Sequence, residues 1–488
     1  MSLALQSVII LLSYFGVLWL ISKITAKTES NEAFFNAGRS SKWFVVAFGM
    51  VGASLSGVTF LSVPGWVASS GWTYMQIVLG YLVGYVVIAY VLLPIYYRLN
   101  LTSIYTYLSE RFGRTSYKTG AIFFLLSRIV GASFRLFLVA KVFQVLIFDP
   151  LGLPFLLNVA ITILLIWVYT LKGGMKTIVW TDTLQTAFML VGAIVCVYQL
   201  LDVMQLDISA AMASLSETMR GPDQGALNQV FVFGDWKDKT HFVKQFLSGM
   251  FIAIVMTGLD QDMMQKNLTC KNLKDAQKNV LSLGVALIPV NLLFLFLGGL
   301  LTLFATQNGL EVTGGDQLFN SVANSGMLPA SVGVLFLLGL VAAAYSSADS
   351  ALTSLTTVFC IDILDMKGEG EGELKKRKLV HLLMSVVLFI VISFFYLLND
   401  DSVISLLFKF AGYTYGPLLG LFSFGIFTRF KVKDLFVFAV ACIAPILTGL
   451  LNWYLISFHE FDFGFFLLII NGIITFLGLL LLVDRKVG

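Results

Sequence analysis

The segment AAAYSSADSAL, Ala342 to Leu352, sets three hydroxyls and a carboxylate in a stretch otherwise apolar enough to lie in lipid. At helical spacing Ala343, Ser346, Asp349 and Ser350 share one face, with Ser347 at its edge. Hydroxyl, carbonyl and carboxylate oxygens are the ligands that hard cations favour. An aspartate at bilayer centre costs roughly 2.5–3.5 kcal/mol on insertion scales, so it comes with a cation, a proton or a basic partner. For Asp349 the alternatives are a bound cation or an ion pair with Arg128, Arg135 or Lys409. A second intramembrane acid, Asp182, lies in LKGGMKTIVWTDTLQ, more than one helical turn beyond Lys172 and Lys176.

Arg128 and Arg135 stand seven residues apart, two turns along one helix face. At that depth a guanidinium must meet a carboxylate, a backbone carbonyl or water. The pair could hold an anionic solute or serve as counter-ions for Asp182 and Asp349. FGMVGASLSGVTF clusters Gly49, Gly52, Ser54, Ser56, Gly57 and Thr59 at mid-span. Such a cluster marks either an unwound segment with free carbonyls or close packing between helices. Cys196, Cys270, Cys360 and Cys442 lack metal-ligand spacing, and His241, His381 and His459 lie far apart at span edges. Nothing here assembles a hydrolytic or phosphorylating site, so an enzyme is not expected.

These residues need a membrane scaffold. Hydrophobic residues make up 58% of the 488 and charged ones only 12%, against about 25% charged in soluble domains. Apolar runs predict thirteen spans near 3–22, 43–68, 75–97, 119–148, 154–171, 178–201, 242–259, 280–305, 331–361, 379–398, 403–427, 435–456 and 465–483. Alternate loops hold 24 of the 32 Lys and Arg residues, Lys266 counted among them, and the opposite loops only Arg220, Lys237, Lys239 and Lys244. By the positive-inside rule the amino terminus is outside and the carboxyl terminus in the cytoplasm, in a plasma or bacterial inner membrane. Lys141 and Lys409, near span ends, can snorkel. The stretch 202–241 is a long outer loop.

GGMKTIVWTDTLQ, GLDQDMMQKNLTCKNLKDA, AAAYSSADSALTS and YGPLLGLFSFGIFTR, in that order among thirteen spans, resemble the sodium/solute symporter family from about Asn31 to Arg429. The resemblance implies an all-α, LeuT-type core of two inverted five-helix repeats whose first helices are broken. It divides the chain into a first helix and loop (1–42), a first repeat (43–201), the outer loop (202–241), a second repeat (242–428) and two final helices (429–488). The paired broken helices would be 43–68 and 242–259. It also implies a main sodium site of backbone carbonyls from Gly52, Leu55 and Ala343 with hydroxyls of Ser346 and Ser347. A second sodium site maps to Asp182, Ser346, Asp349 and Ser350. Solute-binding positions map to Ser54, Ser56, Thr59 and Gln76, with Arg128 or Arg135 one turn from the place where sialic acid carriers of the family use an arginine.

The expected activity is sodium-coupled import of a small organic solute, such as a sugar acid, amino acid or monocarboxylate, by alternating access. Sodium is the coupling ion and no other cofactor is expected. The solute and the bilayer are the expected partners, without nucleic acid or an obligatory protein. A proton-coupled carrier and a solute sensor that moves nothing are the rivals.

Overall fold

The computed structural model describes all residues except 1–2, 27–28, 56, 221–224, 311–317, 319–320, 323–324, 329, 369, 399–401 and 485–488, together with the side chains at 3–8, 10, 57–59, 146, 330–332, 334, 337 and 402–409. A chain in lipid must satisfy its backbone groups internally, which leaves helices as the economical answer. Among the described residues there are helices and isolated bridges but no strands. In chain order they are α1 (Leu3–Thr25), α2 (Asn31–Asn36), α3 (Trp43–Ser54), α4 (Gly57–Ser70), α5 (Tyr74–Arg98), α6 (Thr106–Arg111), α7 (Arg114–Phe143), α8 (Phe155–Thr170) and α9 (Met175–Val203). There follow α10 (Ile208–Glu217), α11 (Phe242–Gly258), α12 (Gln261–Asn267), α13 (Leu273–Gln307), α14 (Ala330–Val358), α15 (Glu371–Leu398), α16 (Ser402–Phe427), α17 (Val437–His459) and α18 (Leu467–Leu481).

Among the described residues, eight helices are long and apolar enough to cross a bilayer whole, and the bent pair α11 and α12 makes a ninth. Of the four other predicted spans, 43–68 is interrupted and 154–171 is a helix of 16 residues, while 3–22 and 331–361 fall in α1 and α14, which include side chains outside the described residues. The stretch 43–68 divides into α3 and α4, with Leu55 leaving helical geometry at φ −92°, ψ 74°. The stretch 242–259 passes through a π-helical turn at Ile254–Gly258, and the chain then turns by 70° into α12. Asp260 caps that new helix, its side chain accepting from the backbone N–H groups of Asp262 and Met263.

Between helices in lipid there is little hydrophobic drive, so close backbone approach supplies the contact. A Cβ on Gly80 would lie 2.1 Å from the Phe246 carbonyl oxygen, and one on Gly249 2.1 Å from that of Ile77. These glycines let α5 and α11 pack backbone to backbone. Helix α9 packs against both α3 and α14, and α3 packs against α14.

The Lys- and Arg-rich loops gather at one end. Ser41 N donates to Thr269 O, Arg39 Nη2 to Leu101 O, and Arg111 Nη2 to Thr428 O. Arg114 and Lys118 pair with Asp365, while Lys433 N donates to Leu482 O. At the other end Arg220 Nη1 donates to Ser69 O and Lys239 pairs with Asp462 at 3.2 Å. Lys27, Arg485 and Lys486 of the basic set lie outside the described residues.

Candidate functional site

Helix α3 ends at Ser54, and a helix end leaves the carbonyls of its last turn, Gly52 among them, without intrahelical donors. That end is held against α9: Gly52 N donates to Thr186 Oγ1 at 3.1 Å, and the same hydroxyl lies 3.3 Å from Gly49 O. A Cβ at Gly52 would fall 2.2 Å from Thr186 Oγ1, so only glycine fits. Helix α14 presents Ala343, Ser346 and Ser347, all buried. Ser347 Oγ has no hydrogen-bond partner among the described residues. A buried hydroxyl in that condition is costly, and it suits a cation ligand. The Ala343 carbonyl, inside a helix, keeps a second lone pair for such a ligand. Leu55, also buried, sits at the end of α3.

Asp182 lies where α3, α9 and α14 meet, its Cβ 3.0 Å from the place a Cβ on Gly49 would occupy. Ser346 Oγ donates to Asp182 Oδ1 at 2.6 Å. The other carboxylate oxygen, Oδ2, pairs with Lys266 Nζ at 2.7 Å, and both side chains are 2% exposed or less. Lys266 is therefore a buried residue of α12 and not one of the loop charges with which the sequence reading grouped it. The 70° bend after Gly258 carries it back into the protein. Asp349 takes a hydrogen bond from Tyr169 Oη at 2.8 Å and a longer one, 3.3 Å, from Ser350 Oγ. Neither acid is paired with an arginine among the described residues.

Arg128 is committed elsewhere. It forms an ion pair with Asp262 and approaches Asp260 Oδ2 at 3.8 Å, while Tyr415 Oη donates to Asp260 Oδ2 at 2.5 Å. This buried cluster ties α7 and α16 to the bend between α11 and α12. Its two acids did not stand out in the sequence because they follow the end of the apolar run; Asp260 just ahead of a short helix is the one signal that could have flagged them. Arg135, two turns along the same face, is half-buried and makes no ion pair or hydrogen bond among the described residues. Gly131, between the two arginines, has nothing within 4 Å of its Cβ position.

Of the remaining positions, Ser54 neighbours Tyr85, which also meets Thr257. Ser56, and the side chain of Thr59, lie outside the described residues. Gln76 is fully buried among loop contacts: its amide nitrogen donates to Thr240 O at 2.8 Å and its oxygen accepts from Val232 N at 3.2 Å. These hydrogen bonds tie Gln76 to the long loop.

A helical membrane protein with two broken helices, a buried hydroxyl face and intramembrane ion pairs is a carrier of ions and small polar solutes. The chain belongs to the sodium:solute symporter family, which matches residues 34–433. It is 26% identical over 454 residues to the sodium/sialic acid symporter NanT of Aliivibrio fischeri (strain ATCC 700601 / ES114), covering 90% of this chain and 86% of that one. It is likewise 26% identical over 411 residues to the human sodium/iodide cotransporter, covering 82% and 61%. The solved structure of a Na+-coupled sialic acid symporter, substrate-bound and outward-open, shares its fold with TM-score 0.81 at 20% identity, covering 97% of both chains. Sodium and a small solute are accordingly its transport partners, and it is not an enzyme.

Proposed function

We propose that the chain imports a small organic carboxylate together with sodium by alternating access, using thirteen spans and a core of two inverted five-helix repeats. The observation that carries the solute class is Arg135. A guanidinium with no ion-pair partner among the described residues, on a span face beside open space at Gly131, is provided for an anion that arrives from outside. Its helix α7 packs against α4, the segment just beyond the break in 43–68. In this reading Ser54, Ser56 and Thr59, which flank the break in sequence, are the further solute-binding positions.

Sodium is held by carbonyls of Gly52, Leu55 and Ala343 and by hydroxyls of Ser346 and Ser347. The ion links the end of α3 to α14, which favours the outward arrangement and orders the solute pocket beside it. Inward rocking releases both. Each 100 mV of inward-directed potential adds about 2.3 kcal/mol per charge carried. Coupling requires that sodium and solute raise each other's affinity by the same factor.

The test is uptake into proteoliposomes of radiolabelled sugar acids, amino acids and monocarboxylates under an inward sodium gradient. At least one carboxylate is expected to accumulate, and Arg135→Gln to abolish its binding while sodium binding survives. Uptake that persists without sodium and collapses without a pH gradient would establish the proton-coupled alternative instead. Carboxylate binding unchanged in Arg135→Gln would remove the solute assignment.

A further inference from the structure

We propose that the ammonium of Lys266 is a resident cation standing in for a second sodium ion, so that the carrier binds one sodium per chain. The inference rests on the sodium-coupled reading above and sets its stoichiometry. The position in question is the one formed by Asp182, Ser346, Asp349 and Ser350. There the ammonium already sits on Asp182 Oδ2 at 2.7 Å, in a pocket where Asp182, Ser346, Asp349 and Ser350 are all 1% exposed or less.

Ligand occupancy decides the count. The carboxylate of Asp182 is spent on both oxygens: Oδ2 takes the Lys266 ammonium at 2.7 Å, and Oδ1 takes the Ser346 hydroxyl at 2.6 Å. Asp349 takes hydrogen bonds from Tyr169 Oη at 2.8 Å and Ser350 Oγ at 3.3 Å. A second sodium would have to share Asp182 with Lys266, two cations on one carboxylate in a site closed to water, the condition that buried ions avoid. Without Lys266 the Asp182 carboxylate is open to a mobile cation. The tether also matters, because Lys266 belongs to α12, the short half of the bent span, and its charge stays with the protein through the cycle.

The experiment is equilibrium binding of radiolabelled sodium to the purified full-length chain in nanodiscs, alongside the reversal potential of solute uptake in proteoliposomes. The wild type is expected to saturate at one sodium per chain without cooperativity, with one charge moved per solute taken up beyond the solute's own charge. Lys266→Gln is expected to saturate at two, cooperatively. The double variant Lys266→Gln with Asp182→Asn removes one charge of each sign and is expected to return to one. Two sodium ions on the wild type, or a single sodium on a folded Lys266→Gln, would overturn the proposal. The wild-type count decides even if the single variant does not fold. No saturable sodium binding at all would instead strike the sodium-coupled reading on which the proposal stands.

Discussion

A buried hydroxyl left without a partner costs about 1–3 kcal/mol, and Ser347 is such a group on the face of α14 that meets α3. If sodium is its partner, Ser347→Ala removes one ligand and is expected to raise the sodium concentration for half-maximal uptake about tenfold, which corresponds to about 1.4 kcal/mol. Ser354, two turns further along, donates within its own helix to Ala351 O at 3.0 Å. Ser354→Ala is expected to leave sodium dependence as it is, and equal shifts in the two variants would count against the sodium site. The hydroxyls were legible in the sequence because oxygen in an apolar run needs a reason whatever the fold. Lys266, Asp260 and Asp262 were not, because hydropathy places residues after an apolar run in water. Their burial follows from a bend that no local pattern encodes. Gln76 shows a contact that no local pattern announces: its amide bonds Thr240 and Val232 of the long loop.

Elements meet here through missing side chains. Gly249 lets α11 approach Ile77 O of α5, and because the atom that a new Cβ would strike is backbone, no rotamer change can relieve the clash. Gly249→Ala is expected to push the two helices apart and to lower the melting temperature of the detergent-solubilised protein by several degrees. Gly131→Ala, with nothing within 4 Å of its Cβ, is expected to melt at or above the wild-type temperature, since alanine favours a helix by about 1 kcal/mol over glycine. A matching loss in both would mean that the α5 and α11 contact is not the tight one described. The cluster of glycine and serine in 43–68 leaves an unwound segment and close packing both open, and it is the family resemblance that points to a break there. The break after Gly258 was harder to place, since it comes at the end of its apolar run and not in the middle. The lesson is physical: composition reports where a helix can open, and the partner helices decide where it does.

The whole molecule has two ends, and charge distinguishes them. Loops separated by an even number of predicted spans touch one another: 1–42 reaches Leu101 and Thr269, and 98–118 reaches Asp365 and Thr428. Among the described residues the opposite loops meet through Ser69 with Arg220 and Lys239 with Asp462. This grouping of basic loops at one end is what the alternation of Lys and Arg along the sequence leads one to expect of the fold. By the positive-inside rule the basic end is expected to face the cytoplasm. Cys196, Cys270 and Cys360 are buried, so replacing the half-buried Cys442 with alanine provides a quiet background for labelling. In that background Lys237→Cys, exposed on the long loop, is expected to react with a membrane-impermeant maleimide in intact cells. Lys367→Cys, exposed between α14 and α15, is expected to react only after the membrane is permeabilised. Reversed accessibility would invert the orientation, and with it the direction in which the membrane potential drives the bound cation.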